Sequence, residues 1–234
     1  IANRRGQWAE AADQLRQAID RSGPRPALLH NLGIALEQQG RLDQAETVLA
    51  EAAGRAPDDG RVHLAWGILA LKRGESAVAR QRLQRAREIF PATAPAMWYW
   101  AAMRAAAGTD DLDYSLALGR EGSGHHPQDV VLRNNYAVLL EATGAVAEAE
   151  VLLREILATD ASLPQPFKNL GDLCYRSGRY DEAVTHYDRA AALDPCLGDD
   201  LFFKLGNLAF RRGDSARARE CWDRALSLNP GHQL

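Results

Sequence analysis

The chain has 234 residues, 25% of them charged and 46% hydrophobic, with a formal net charge of -3 at pH 7. So small a charge excludes a general attraction to nucleic acid, and no apolar run approaches the roughly 18 residues of a membrane span. Three cysteines without C-x-x-C spacing, Cys174, Cys196 and Cys221, predict reduced structural thiols in a cytoplasmic protein, with the periplasm left open.

Glycines punctuate the chain at Gly6, Gly40, Gly74, Gly108, Gly144, Gly178 and Gly213. Most successive gaps are 34 residues, with 36 before Gly144 and 35 before Gly213. Composition does not produce such spacing, so each glycine is expected to close a tight turn between two helices. Residues 1–25 carry Trp8, Ala11, Leu15 and Ala18, which fit the second helix of a pair whose first helix is missing. The chain is therefore expected to be a fragment that begins in mid-repeat, and no signal peptide is recognised at its start.

The first whole unit, 26–59, has Leu29, Leu32-Gly33 and Leu36, then Ala45, Leu49, Ala52 and Pro57. The second, 60–93, repeats the pattern with His63, Trp66-Gly67, Ala70, Ala79, Leu83, Ala86 and Pro91. The third, 94–129, departs from it. Its first helix carries Met97, Trp100, Ala101 and Arg104, and its turn, Gly108-Thr109-Asp110-Asp111, reads as two residues longer. Ser115, Gly119, Gly122 and Pro127 then stand where alanine, an aromatic, alanine and proline are usual. A glycine inside a helix costs roughly 1 kcal/mol against alanine, so the second helix of this unit is expected to be the weakest element. Drift in a tolerant array and a hinge or binding notch both fit that irregularity. The fourth unit, 130–163, has Tyr136-Ala137, Leu140, Ala149, Leu153 and Ile156, with Ala161 replacing the closing proline and Pro164 soon after.

The fifth, 164–198, is the most regular. Phe167, Leu170, Gly171 and Cys174 fall at i, i+3, i+4 and i+7, one face of a helix. After Gly178 a second face runs through Tyr180, Ala183, Val184, Tyr187 and Ala190, and Pro195 stops it. The sixth, 199–232, has Phe202, Leu205-Gly206, Ala209, Ala218, Trp222, Ala225 and Pro230. Gln233 and Leu234 are expected to open a cap or a further repeat.

This pattern, with its 34-residue length, resembles the tetratricopeptide repeat (TPR). The resemblance covers nearly the whole chain and implies an all-α, right-handed superhelical solenoid of antiparallel helix pairs. It also implies a non-catalytic scaffold that holds a peptide segment or helix of a partner protein in a concave groove. Two other readings remain open. The array could be the substrate-recruiting arm of a larger enzyme, of glycosyltransferase or methyltransferase type, or it could self-associate end to end through bare residues such as Leu226 and Leu228.

Catalytic motifs are missing: the sequence has no G-x-x-x-x-G-K-[ST], no G-x-S-x-G and no H-E-x-x-H. The glycines Gly119, Gly122 and Gly124 follow no strand, so a dinucleotide site is not expected. Adjacent His125 and His126 cannot alone close a tetrahedral metal site. Asp58-Asp59, Asp110-Asp111 and Asp199-Asp200 lie at helix starts or turns, where acids cap helices. The sequence thus predicts no enzyme activity, no cofactor and no metal.

Carried onto this chain, the family's groove-facing sixth position falls on Asn31, Ala65, Tyr99, Asn135, Asn169 and Lys204. The three asparagines resemble the asparagine ladder of O-GlcNAc-transferase-type arrays, since an amide can pair with a peptide backbone as donor and acceptor. They equally fit an asparagine that is merely common in the N-L-G context. Around them, the family's groove positions imply an apolar middle of Leu64, Ile68, Leu71, Trp98, Tyr99, Ala102 and Val138. A slip of register by one residue would instead place Trp98 in the core. Lys168, Arg176, Lys204 and Arg211 imply a basic end tempered by Asp172 and Asp200. Lys168 and Asn169 match only fragments of the family's two-carboxylate clamp, so a chaperone C-terminus is not the expected ligand.

Overall fold

The computed structural model of the protein describes residues 2–91 and 93–231. The described residues form thirteen α-helices and fall into two compact units, Ile1–His126 and Pro127–Leu234. Gln233 and Leu234, expected to open a further helix, lie outside the described residues.

The first unit holds α1 (Ala2–Ser22), α2 (Pro26–Gln38), α3 (Leu42–Arg55), α4 (Gly60–Lys72), α5 (Ser76–Ile89), α6 (Ala96–Ala107) and α7 (Leu112–His125). The second holds α8 (Val130–Ala142), α9 (Val146–Thr159), α10 (Pro164–Arg176), α11 (Tyr180–Leu193), α12 (Asp199–Arg211) and α13 (Ser215–Leu228). In both units the helices pack as antiparallel pairs, α2 with α3, α4 with α5, α6 with α7, and likewise from α8 to α13.

Local chemistry sets the helix ends. Pro26 and Pro164 open α2 and α10, where a missing N–H costs nothing and the fixed φ suits a helix. Asp59, Asp111, Asp129 and Asp214 accept backbone N–H bonds at the starts of α4, α7, α8 and α13, satisfying donors that a first turn leaves free. Two of the paired acids, Asp59 and Asp111, thus cap helices as expected. Each first helix of a pair closes in a left-handed residue. At Gly178, φ is 74°, and the Arg179 N–H returns to the Cys174 carbonyl at 2.9 Å.

Close packing follows from a size match sixteen residues apart. A Cβ on Gly171 would lie 2.5 Å from Tyr187 Cδ1, and Tyr187 is fully buried. Leu49 faces Gly33, Leu83 faces Gly67 and Trp222 faces Gly206 in the same way. Small residues on the first helix admit large ones from the second, as the close packing of protein interiors requires. Polar ties join successive pairs too: Glu46 of α3 accepts from Trp66 Nε1 at 2.9 Å and from Arg82 Nη2 at 2.6 Å.

Two expectations are corrected here. Gly6 closes no turn, because it lies inside α1, which runs without reversal from Ala2 to Ser22. In the third repeat the turn is not lengthened. Asp110 takes the left-handed position with φ 58°, and the Asp111 N–H returns to the Ala106 carbonyl at 3.0 Å, as Arg41 returns to Leu36. The two extra residues are absorbed before α6, in the connection 90–95, where Pro91 and Pro95 resist helix. The register of α6 therefore shifts by two. Tyr99, Ala102, Met103 and Ala106 are buried, whereas Met97 is 59% exposed. At the sixteen-residue spacing this pair carries a large residue, Met103, on the first helix and Gly119 on the second, both buried, so the usual sizes are exchanged. Gly119 and Gly122 are both accommodated within a continuous α7.

Candidate functional site

In the second unit, α8 and α10 border a cleft of about 570 Å³. Asn134, Asn135, Val138 and Glu141 line it from α8, and Gln165, Lys168, Asn169, Asp172 and Arg176 from α10. All project from one face of their helices, at spacings of three and four residues, which is why one stretch of each helix can supply a wall.

The cleft floor is a chain of amides. Asn169 Nδ2 donates to Asn134 Oδ1 at 2.8 Å, and Gln165 Nε2 donates to Asn169 Oδ1 at 3.1 Å. Asn134 and Asn169 are only 8% and 7% exposed, so each depends on the other for satisfaction. Asn135 is held differently: its Nδ2 donates to the Val131 carbonyl of its own helix at 2.7 Å.

Beside the amides lies a charged cluster centred on Asp172. Its Oδ1 accepts from the Tyr187 hydroxyl at 2.7 Å and from Lys204 Nζ, while Oδ2 accepts from Lys168 Nζ at 2.9 Å. Lys168 also meets Asp200 at 2.8 Å. Burial alone would raise the Asp172 pKa, but the bonds from Lys204, Lys168 and Tyr187 outweigh it and hold the carboxyl below its usual range. Burial likewise opposes the Lys168 charge, and Asp200 and Asp172 outweigh it and raise its pKa. Tyr187 is pushed well above an ordinary phenol, first by burial and then by the Asp172 charge. The two lysines are thus neutralised within the fold. At the far end Arg176 of α10 pairs with Glu141 of α8.

Five residues expected in a groove, Asn135, Val138, Lys168, Asn169 and Arg176, therefore line one cleft, and Lys204 joins it through Asp172. Arg211 does not line it and stacks over the Tyr180 ring at 4.3 Å. In the first unit Asn31 is exposed on α2, Leu64 is buried and Ile68 half-buried on α4. Trp98 and Tyr99 are core residues, 3% and 0% exposed, rather than open groove aromatics. Trp98 Nε1 donates to the Leu83 carbonyl at 2.8 Å and the Tyr99 hydroxyl to Glu121 at 2.8 Å. Leu71 and Ala102 are buried as well. Asn134, Glu141 and Gln165 did not stand out in the sequence. The four-residue spacing of Gln165 and Asn169 was the one available signal, since such pairs meet on a helix surface.

Family models described as "Tetratricopeptide repeat" match residues 2–67, and 164–195 with 200–232, together more than half of the chain. Among curated proteins, "Cellulose synthase 1 operon protein C" of Komagataeibacter xylinus is 26% identical over 179 residues. That match takes in 76% of this chain but only 13% of the relative, so the chain spans a small part of that protein's length. Among solved structures, a chain of the APC/C hetero-tetramer Cut9-Hcn1 is similar with a TM-score of 0.81 at 13% identity, over 97% of this chain and 44% of that one. The pilF protein of Pseudomonas aeruginosa follows with a TM-score of 0.70 at 18% identity, over 94% and 95%. At such identities the likeness speaks for the fold. With helix pairs, turn chemistry and glycine-to-large packing already in place, the chain belongs to the tetratricopeptide repeat family, whose repeats typically mediate protein–protein interactions on a non-catalytic scaffold.

Proposed function

We propose that this protein is a protein-interaction scaffold that takes an extended peptide segment of a partner into the cleft between α8 and α10. The amide chain Gln165–Asn169–Asn134 carries the reading. Amides at the floor of a cleft offer donors and acceptors to a peptide backbone whatever its side chains. The exposed Val138, at 42%, adds an apolar contact on the rim. Because Lys168 and Lys204 are already paired with Asp172 and Asp200, the cleft favours an uncharged backbone over a terminal carboxylate.

A binding screen of arrayed peptides against the full chain tests this. Val138→Glu alters an exposed position and Asn135→Ala an amide bonded within its own helix, so both should leave the thermal midpoint in place while weakening the best peptides about tenfold or more, the cost of about 1.4 kcal/mol. Peptides that bind equally well to both variants would place the site elsewhere.

A second reading is favoured by the likeness to a protein named for a cellulose synthase operon. The repeats would then form the recruiting arm of a larger glycan-synthesis assembly. Co-purification of the full-length gene product with a glycosyltransferase subunit, lost when these repeats are deleted, would support it.

A further inference from the structure

Away from the cleft, on the side of α10 that packs on α11, three potential metal ligands converge. Cys174 Sγ, a Glu182 carboxylate oxygen and a His186 ring nitrogen all lie within 4.8 Å of one another. Glu182 and His186 are one helical turn apart on α11, so their side chains leave the same face, and Cys174 meets them from α10. We propose that Cys174, Glu182 and His186 bind one divalent cation of the zinc class, with the fourth position open to water.

The donor set selects the ion. Sulfur, imidazole nitrogen and carboxylate oxygen together suit a borderline-soft cation rather than magnesium or calcium, which take oxygen ligands. Zinc bonds of about 2.0 to 2.3 Å set tetrahedral ligands roughly 3.5 Å apart. Small side-chain rotations would bring the trio to that spacing, because Glu182 is exposed and His186 only half-buried. Cys174 is buried and cannot move far, so it forms the fixed inner corner, and the exposed Glu182 leaves the outer side accessible.

Charge does not oppose the ion. The charged groups around the trio are Arg154, Arg179 and Glu150, with Glu182 itself. Glu150 accepts from Arg179 and Arg154, each at 2.7 Å, and Glu182 lies 3.4 Å from Arg179 and 3.7 Å from Arg154. Two cations and two anions cancel. Burial lowers the His186 pKa, keeping the ring neutral and its lone pair free at neutral pH. Burial also raises the Cys174 pKa, so the thiol is protonated until the metal arrives. On binding, the S–H bond breaks, a metal–sulfur bond forms, and the proton leaves to solvent, which makes affinity rise with pH. The sequence alone predicted no metal because the ligands come from two helices at spacings no metal motif records.

Titration of the full chain with cobalt(II) chloride tests the site, since a thiolate bound to cobalt gives a near-ultraviolet charge-transfer band. One equivalent of cobalt should bring up the band and zinc chloride should erase it. The band should persist in the double variant Cys196→Ser/Cys221→Ser and vanish in Cys174→Ala. His186→Ala and Glu182→Gln, both outside the core, should weaken cobalt binding at least about tenfold, a loss that even outer-shell changes produce. Far-ultraviolet circular dichroism verifies that each variant is folded. No band, a band that survives Cys174→Ala in a folded protein, or unchanged affinity in His186→Ala and Glu182→Gln would overturn the proposal.

Discussion

Asn169 of α10 and Asn134 of α8 are joined by a 2.8 Å hydrogen bond and largely buried together at the cleft floor, although neighbouring Asn135 was the residue in the expected register. The bond makes Asn169 a structural residue as well as a cleft residue. Losing one partner of a buried pair strands the other and costs about 1 to 3 kcal/mol. Asn169→Ala should therefore lower stability in urea by that amount. Asn135→Ala, whose amide bonds only to its own helix, should change it by less than about 0.5 kcal/mol. A double-mutant cycle on Asn134 and Asn169 should show coupling, and strict additivity would remove the bond from the account.

Gly171→Ala probes the close approach of α10 and α11. The new methyl would meet the Tyr187 ring at 2.5 Å, and Tyr187 is anchored both by burial and by its bond to Asp172. Overpacking of this kind costs typically about 1 to 3 kcal/mol. Chemical denaturation should show a loss in that range. Gly54→Ala, where a Cβ meets nothing within 4 Å, is the matched control and should be neutral or slightly stabilising.

At the third repeat the left-handed turn is made by Asp110 rather than glycine. A non-glycine residue there carries a cost of about 1 kcal/mol or more. Asp110→Gly should raise the thermal midpoint of the protein. A fall would mean that the aspartate side chain, and not its backbone, is what the turn requires.

The second helix of the third repeat remains the element expected to open first, since α7 carries Gly119, Gly122 and Gly124. Amide exchange over residues 113–124 should run faster than over 181–192 of α11. Equal protection would show that the burial of Leu118, Gly119 and Gly122 fully offsets the backbone entropy of the glycines.

Acid should loosen the second unit. Bonds from Arg179 and then Arg154 lower the Glu150 pKa from 4.5 to about 2, and Asp172 is lowered as well. A carboxylate depressed in the folded state contributes stability that is present above its unfolded value and lost as pH falls through the folded one. Stability should therefore decline between roughly pH 4.5 and pH 2. Glu150→Gln should flatten part of that decline in a pH series of denaturation midpoints.

By itself the sequence determined the helix pairs, their order and the family. Those features rest on contacts within a few residues: the three-and-four spacing of Phe167, Leu170, Gly171 and Cys174, the left-handed turn at Gly178, and proline at a helix start. Gly171 and Tyr187 both stood in that pattern, but their match in size across sixteen residues shows only once α10 and α11 pack. Tertiary structure alone decided the register of α6, because two extra residues can be absorbed on either side of a helix and only burial of Tyr99 and Met103 selects the side. It also decided that Asn134, not Asn135, faces Asn169. The angle between packed helices sets which of two adjacent side chains meets its neighbour, and no local period carries that angle. The convergence of Cys174, Glu182 and His186 belongs to the same class, since three donors on two helices become neighbours only when α10 and α11 pack.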